Sequence, residues 1–468
     1  MSQLGAARRS LMRHNSGMPE NLPMSPEALE TLLSEFTNAL RADEALDWSN
    51  PHDRSLYVEG LHGESRPLNR LSRDIRRTRG GGVWFFTGQP GSGKSTELLR
   101  LRQELSDKGS KTYYCDLQDW LNLNEPVTLS SFLVALLASW VDQVKLPSTV
   151  STPGQRLIDF FTKTGLDLTT LQLSADAGLL KTQMQWAMQT DANFRQKLEK
   201  SLRLNVSSFI AQAQVFVSEL KADLCPDGQD CIVLADSVEK IRGFGERENA
   251  VYASLQQLFV SEGRALSFPG VHMVYSVSAF LLEQNHDLIR ETGLVVNMPS
   301  VHVLKRPVQG ASCDDDAGGL AAMQRLLAQR FPAWEQVFVP DQVRRMAQGS
   351  GGDLRDFLRI VRIALGTDID SLPVADTAIK EAMDDVTPPR VLLNEHIQWM
   401  ARLDTSHVAE LSGPIDALVL QHYLETKHVQ AYLNGETWYA VHPLLRTWIH
   451  ERAKALAIRQ AATGAKEV

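Results

Sequence analysis

Along the middle of the chain, short strand-like runs alternate with longer stretches of helical spacing. Val83–Phe86, Lys111–Asp116, Cys231–Asp236 and Val271–Val277 have the length and content of buried strands, and Val301–Leu304 is a shorter candidate that would close the set. Between them apolar residues return every three or four positions, the period of a helix with one buried face. This spacing predicts helices over about 128–145 and 246–262, and a long, mixed, mostly helical excursion over about 150–224. Strands that alternate with helices build a parallel, doubly wound sheet, so the expected class is α/β. Ahead of the first strand, Pro26–Ala42 reads as an amphipathic helix capped by Ser25, with Leu29, Leu32, Leu33 and Phe36 on one face, and a second helix follows from about Pro67 to Arg79.

The pattern changes near residue 308. A polar loop at 309–318 leads into helical periodicity over 319–386, broken at Pro332, Pro340, Gly349–Gly352 and Pro373, which predicts an all-helical lid. Pro388-Pro389 marks the next boundary. Beyond it come helices and then Val429–Leu433, Asn434-Gly435 and Thr437–Val441. Asn-Gly between two strand-like runs signals a hairpin, and helices followed by a hairpin predict a winged helix. The expected organisation is a disordered N-terminus at 1–24, an N-terminal helix and linker at 25–54, an α/β core at 55–308, the lid at 309–388, the winged helix at 389–456 and a tail at 457–468.

Composition narrows the class. No apolar run approaches the ~18–20 residues that span a bilayer; the longest, Phe132–Val141, is broken by Ser139 and reads as a buried helix. Arg8-Arg9 is followed by polar residues where an export signal needs an apolar region. The four cysteines fall at no metal-ligand spacing, which fits a reduced cytoplasm. A net charge of −8 argues against a protein that coats nucleic acid. Arg70, Arg73, Arg76, Arg77 and Arg79 form a local basic cluster. It reads as a solvated helix face or as a contact to a phosphate bound by a neighbouring subunit.

One segment carries most of the chemistry. The first strand runs into Gly88-x-x-x-x-Gly93-Lys94-Ser95 and then into a helix, which is the context of a P-loop. Gly88, Gly91 and Gly93 let the backbone of the loop, through Ser92, turn its N–H groups toward a polyphosphate, and the helix N-terminus at Lys94, Ser95 and Thr96 adds positive potential. Lys94 is placed to reach the β- and γ-phosphates of ATP, and Ser95 to ligate Mg²⁺. Asp236 ends an apolar strand, where a carboxylate holds the same metal ion, or simply caps the next helix. Glu239, three residues on, is the candidate general base; the competing reading is an acid favoured by a helix N-terminus. Asp116, at a neighbouring strand end, is the other acid in position to serve as base. Ser276 ends its strand with a hydroxyl suited to a phosphate or an attacking water. Arg355 sits in the first turn of a helix, where it opposes the dipole and so favours an anionic partner, whether the γ-phosphate or a surface acid.

In this order, the P-loop, Asp236, Ser276, Gly352-x-x-Arg355 in a helical lid and a trailing winged helix resemble the AAA+ ATPases over about 55–455, most closely the clade of the replication-initiator type and the STAND and NACHT ATPases. Many of those ATPases carry Glu directly after the strand's Asp, where this chain has Ser237; the acid three residues on resembles the STAND and NACHT form. Trp438–Arg446 resembles the Met-His-Asp segment of STAND winged helices, which implies that His442 contacts the ADP β-phosphate in a closed state. Pro443 stands where the family usually has Asp, and a core histidine beside Trp438 and Trp448 is the alternative. The resemblance implies an ATP/ADP- and Mg²⁺-dependent switch, a slow ATPase in signalling or defence. Neither a repeat array nor an effector domain is recognisable, so those tasks would fall to a separate protein partner. Arg290 is the candidate finger toward a neighbour's nucleotide in an ATP-dependent homo-oligomer. Two alternatives stand beside the switch: an initiator- or transposition-like DNA-remodelling ATPase, and a P-loop small-molecule kinase, against which the long lid and the winged helix argue. For DNA, the helix around 414–427 is poor, with Asp416, Glu425 and one lysine.

Overall fold

The computed structural model describes residues 25–464 except 42, 64–66, 146–151, 166–172, 174–176, 204–205, 244, 280, 282–294, 308–312, 368, 370 and 413–415. The segment 1–24, expected to be disordered, and the candidate finger Arg290 lie outside the described residues.

Five parallel strands, β1 (Gly82–Gly88), β2 (Lys111–Asp116), β3 (Cys231–Asp236), β4 (Val271–Ser276) and β5 (Val295–Met298), form one sheet in the order β2-β3-β4-β1-β5. The central strands β3, β4 and β1 are mostly buried on both faces because both faces are covered. Trp84, Phe86, Ile232, Leu234 and Val274 pack on one side against Leu68, Leu71 and Ile75 of the helix Pro67–Arg77 and Leu98, Leu101 and Leu105 of the helix Lys94–Asp107. Phe85, Cys115, Val233, Met273 and Tyr275 pack on the other side beneath the helix Leu129–Asp142. That helix is buried all round, which no single sheet face can achieve. The excursion supplies the second cover: helices Pro153–Lys163, Ala177–Thr190, Ala192–Arg203 and Val206–Leu224 bring Leu157, Phe161, Met188, Leu198 and Phe209 into the same core. The apolar run from Phe132 to Val141 is therefore an interior helix between two layers.

The fifth strand is not where the pattern of the chain puts it. Val301–Leu304 lies outside the sheet, with Leu304 in an isolated bridge to Asp315, and the strand at this edge is Val295–Met298, paired to β1 with Phe85 opposite Val295. Pro299 has no N–H to continue the ladder. Beyond it the backbone turns to the lid: the Val301 N–H donates to the Gly352 carbonyl at 3.0 Å, and the Val303 carbonyl accepts from Asp316 at 2.9 Å.

Helices Ala317–Arg330, Pro340–Gly349, Leu354–Leu365 and Asp376–Val386 enclose a separate core. The N-terminal helix Pro26–Leu40 joins this core and not that of the sheet, with Phe36 stacked on Phe331 at 4.3 Å between centroids. The last unit contains helices Asn394–Ser406 and Ala417–Glu425, the antiparallel hairpin β6 (Val429–Asn434) and β7 (Glu436–Val441), and the helix Pro443–Gly464, which runs on through most of the expected tail. Gly435 makes the hairpin turn at φ +105°, open to glycine. Tyr432 and Trp438 of the hairpin stack at 4.4 Å inside the lid core, so hairpin and lid share one interior. Among the described residues no helix is long and apolar enough to cross a membrane.

The seam between lid and sheet hangs on Gly352, at φ +88°, where a Cβ would collide with the Val301 carbonyl oxygen. We expect Gly352→Ala to destabilise the protein by about 2 kcal/mol or more, from left-handed strain plus overpacking. Chemical denaturation checks this, and an unchanged midpoint would remove Gly352 from the seam.

Candidate functional site

The carboxyl ends of β1, β2, β3 and β4 lie at one edge of the sheet, where open α/β folds bind ligands. β1 ends at Gly88, packed so close under the Met298 carbonyl that a Cβ has no room. The loop then turns through Gly91 at φ +82° and Gly93 at φ +94°. Ser92 is fully buried and ties the loop to itself, its hydroxyl donating to the Gln89 carbonyl at 2.9 Å. The helix Lys94–Asp107 starts with no side-chain cap, which leaves its first N–H groups open to an anion. Lys94 is 6% exposed. Its Nζ donates to the carbonyls of Gly88 and Gln89, both at 3.0 Å, and pairs with Glu239 at 3.4 Å. Thr96 accepts the Leu46 N–H at 3.2 Å, fixing the N-terminal segment against the helix.

β2 and β3 end in register, Asp116 beside Asp236. Asp236 is fully buried; its Oδ2 accepts from the Tyr114 hydroxyl at 2.5 Å, and its Oδ1 has no partner among the described residues. Burial, with the neighbouring Asp236 adding, pushes the Asp116 carboxyl above the usual range. Two adjacent carboxylates and an unsatisfied oxygen suit a divalent cation, so Ser95 and Asp236 fit Mg²⁺, which would supply charge neutralisation for a polyphosphate.

The chain leaves Asp236 through Ser237, a non-glycine residue at φ +69°, into a single helical turn at Val238–Lys240. This reversal returns Glu239 to the loop, where it meets Lys94 and accepts the Ser276 hydroxyl at 2.5 Å. Lys94, Glu239 and Ser276 are thus one cluster.

A cleft of about 650 Å³ opens over this cluster, lined by Gly91, Gly93, Lys94, Ser95, Thr96 and Glu239 from the core. Arg355 faces it from the first turn of the helix Leu354–Leu365, exposed and without an ion pair among the described residues. Gly88, Ser92 and Ser276 do not line it. A larger cavity of about 1010 Å³, at the opposite end of β1, contains none of the motif residues. Sequence reasoning missed Tyr114, which holds Asp236, and the lining residues Arg330, Leu326, Leu358 and Glu425. None of these has a spacing signal; only the packing of distant segments brings them here.

His442 is not brought to the cleft. The residue is 1% exposed; its Nδ1 accepts the Leu444 N–H at 3.3 Å, and its Nε2 has no partner among the described residues. Burial, with Lys427, His428 and Arg446 nearby, pulls its pKa to about 3, so the ring is neutral. The reason is local. β7 ends at Val441 and the helix Pro443–Gly464 starts two residues later, which turns the side chain inward. The winged helix reaches the core and the lid elsewhere. Glu425 accepts the Tyr252 hydroxyl at 2.6 Å, and Lys427 pairs with Asp353 at 2.8 Å and Asp356 at 2.7 Å.

No family model matches the chain, and no curated protein matches its sequence. Among solved structures the chain is similar to the Aeropyrum pernix ORC2 protein in its ADPNP-ADP complexes, at 12% identity over 87% of this chain and 98% of that one, with a TM-score of 0.39. It is also similar to a Walker-type ATPase of Pyrococcus abyssi (11% identity, 88% and 99% covered, TM-score 0.42) and to Cdc6p from Pyrobaculum aerophilum (10%, 86% and 98%, 0.35). Likeness at these values bears on neither activity nor substrate, and the functional reading rests on the site's own residues.

A histidine kept neutral by burial stabilises the fold above its unfolded pKa near 6.5 and loses that contribution as pH falls toward its folded value of about 3. Over that window the folding equilibrium should weaken by roughly tenfold per pH unit from this group alone. We expect His442→Gln to flatten the acid-side decline in urea midpoints between pH 7 and pH 5. Parallel declines for the two proteins would mean that His442 does not titrate across unfolding.

Proposed function

We propose that this chain is a nucleoside-triphosphate switch of the AAA+/STAND type, a slow ATPase whose nucleotide state sets the position of the winged helix and its binding of a separate protein partner. The observation that carries it is the Lys94–Glu239–Ser276 cluster. A triphosphate in the loop competes with Glu239 for the Lys94 ammonium. Once released, Glu239 remains oriented by Ser276 and is free to accept a proton from an attacking water. Ser95 and Asp236 hold the metal ion, and Arg355 brings the lid to the γ-phosphate. A switch needs contacts that differ between its two states. Glu425 supports such a difference, because it lines the cleft from the winged helix. Its charge disfavours a γ-phosphate while the winged helix is docked. A role in bacterial signalling or defence, a cytoplasmic location and ATP-dependent homo-oligomers belong to the same proposal.

A second reading is the initiator- or transposition-like DNA-remodelling ATPase, with the winged helix as reader. It is the reading closer to the names of the ORC2 and Cdc6p structures. In this structure helix Ala417–Glu425 is engaged by the core, through His422 to Glu248 at 3.0 Å and Glu425 to Tyr252. DNA reading therefore requires the same undocking as the switch.

We expect Lys94→Ala to abolish high-affinity ATP binding in calorimetry with the fold intact; equal affinities would sink the phosphate site. Glu239→Gln should leave ATP affinity within a few-fold and lower turnover by roughly 10²–10⁴, the usual contribution of a general base. Undiminished turnover would move the base, with Asp116 next in line. Turnover measured with and without duplex DNA separates the two readings, and strong stimulation by DNA would favour the second.

A further inference from the structure

Arg330 ends the lid helix Ala317–Arg330 and is 8% exposed. Its Nε and Nη1 are buried with no hydrogen-bond partner among the described residues. The acids that act on its charge, Asp53 and Glu44, are both already paired with Arg41. Burial, with Arg41 adding, pulls the Arg330 pKa down to about 10, which leaves it charged at neutral pH. Burying a cation without a partner is unfavourable, and folds rarely keep one idle.

Its surroundings indicate what would satisfy it. Arg330 lines the nucleotide cleft from the lid side, with Leu326 one turn back on its own helix and Leu358 on the next lid helix. Arg41, Glu44 and Ala45 of the N-terminal segment line the same cleft. The phosphates have their own donors in the loop, in Lys94 and in Arg355. Two leucines and an alanine offer apolar surface for a flat ring, and a planar guanidinium offers a fork of donors to the acceptors on its edge.

We propose that Arg330 is a specificity-determining residue that reads the base of the bound nucleotide, donating to the ring-nitrogen or carbonyl acceptors of a purine. This rests on the nucleotide reading above and adds the residue that recognises the end of the ligand remote from the phosphates.

The test uses the full chain and two probes: ATP, and ribose 5-triphosphate, which has the same sugar and phosphates without a base. Arg330→Met should weaken ATP binding by roughly ten- to a hundredfold, the loss of a charged hydrogen bond, and leave ribose 5-triphosphate affinity unchanged. Without nucleotide, the same variant should melt no lower than wild type, because it removes an unpaired buried charge. Arg330→Lys keeps the charge and loses the fork, so it should show the same selective loss, and it reads the proposal if the methionine variant fails to fold. Equal losses on both probes, or no loss on ATP, would overturn it. If wild type binds neither probe, the nucleotide reading itself fails; if wild type binds both and the variants match it, only the role of Arg330 falls.

Discussion

A lysine ammonium that is 6% exposed must be surrounded by oxygen, and the centre of this protein is arranged around that need. Two of the oxygens are loop carbonyls, which Lys94 reaches because the glycines let the chain fold back over its own helix start. The third comes from Glu239, which arrives only because Ser237 takes a left-handed turn immediately after the strand. Ser276 holds the other carboxylate oxygen. Remove the left-handed turn and the acid points away, the lysine loses its counter-charge, and the ends of β3 and β4 are no longer linked. The site is therefore a charge arrangement first and a set of motifs second.

A second ionic knot ties the lid and the winged helix to this centre. Asp353 caps the lid helix Leu354–Leu365 and lies so close to the loop that a side chain at Gly91 would displace it. Lys427, at φ +62° between the helix Ala417–Glu425 and β6, pairs with Asp353 and Asp356. Burial, and then the neighbouring Asp353, raise the Asp356 carboxyl to about 6. Two buried carboxylates sharing one lysine are stable only while the lysine stays, because removing one partner leaves a charge uncompensated. Lid and winged helix are thereby linked at the loop itself, one side chain from the glycine that a phosphate would approach. His442 lies beside Lys427, supplying packing and no charge.

Much of this was legible in the residues, and what was not has physical causes. β3 reads directly because a central parallel strand is a continuous apolar run, here ending in an acid, and β2, at one edge of the sheet, reads from Thr-Tyr-Tyr and its terminal Asp116. The P-loop reads because glycine positions and a lysine are dictated by local backbone geometry. The hairpin reads from Asn434-Gly435. β5 did not, because Val-Val-Asn-Met at a sheet edge is short and partly exposed, while Val301–Leu304 is just as apolar for the different purpose of docking the lid. Tyr114 and Arg330 were invisible because each matters through a partner or neighbour in a distant part of the chain. The histidine resemblance misled because sequence context records that a His follows the hairpin, not whether its ring points at the cleft or into the core.

Under the proposed function, the competition at Lys94 would let one site both bind and wait. Lys94 cannot hold Glu239 and a γ-phosphate at full strength together, since each takes donors from the same ammonium. A nucleotide that places less negative charge at the ammonium leaves the lysine nearer Glu239, and the acid stays occupied. One that places more there draws the lysine away and frees the acid at the moment a water has something to attack. In the same proposal Glu425 would act in the opposite sense, favouring the docked winged helix when the third phosphate is absent. Both carboxylates line one cleft, so both would sense the same charge. In that proposal their difference would be the free energy available to move the winged helix, because a ligand shifts an equilibrium only by what it contacts differently in the two states.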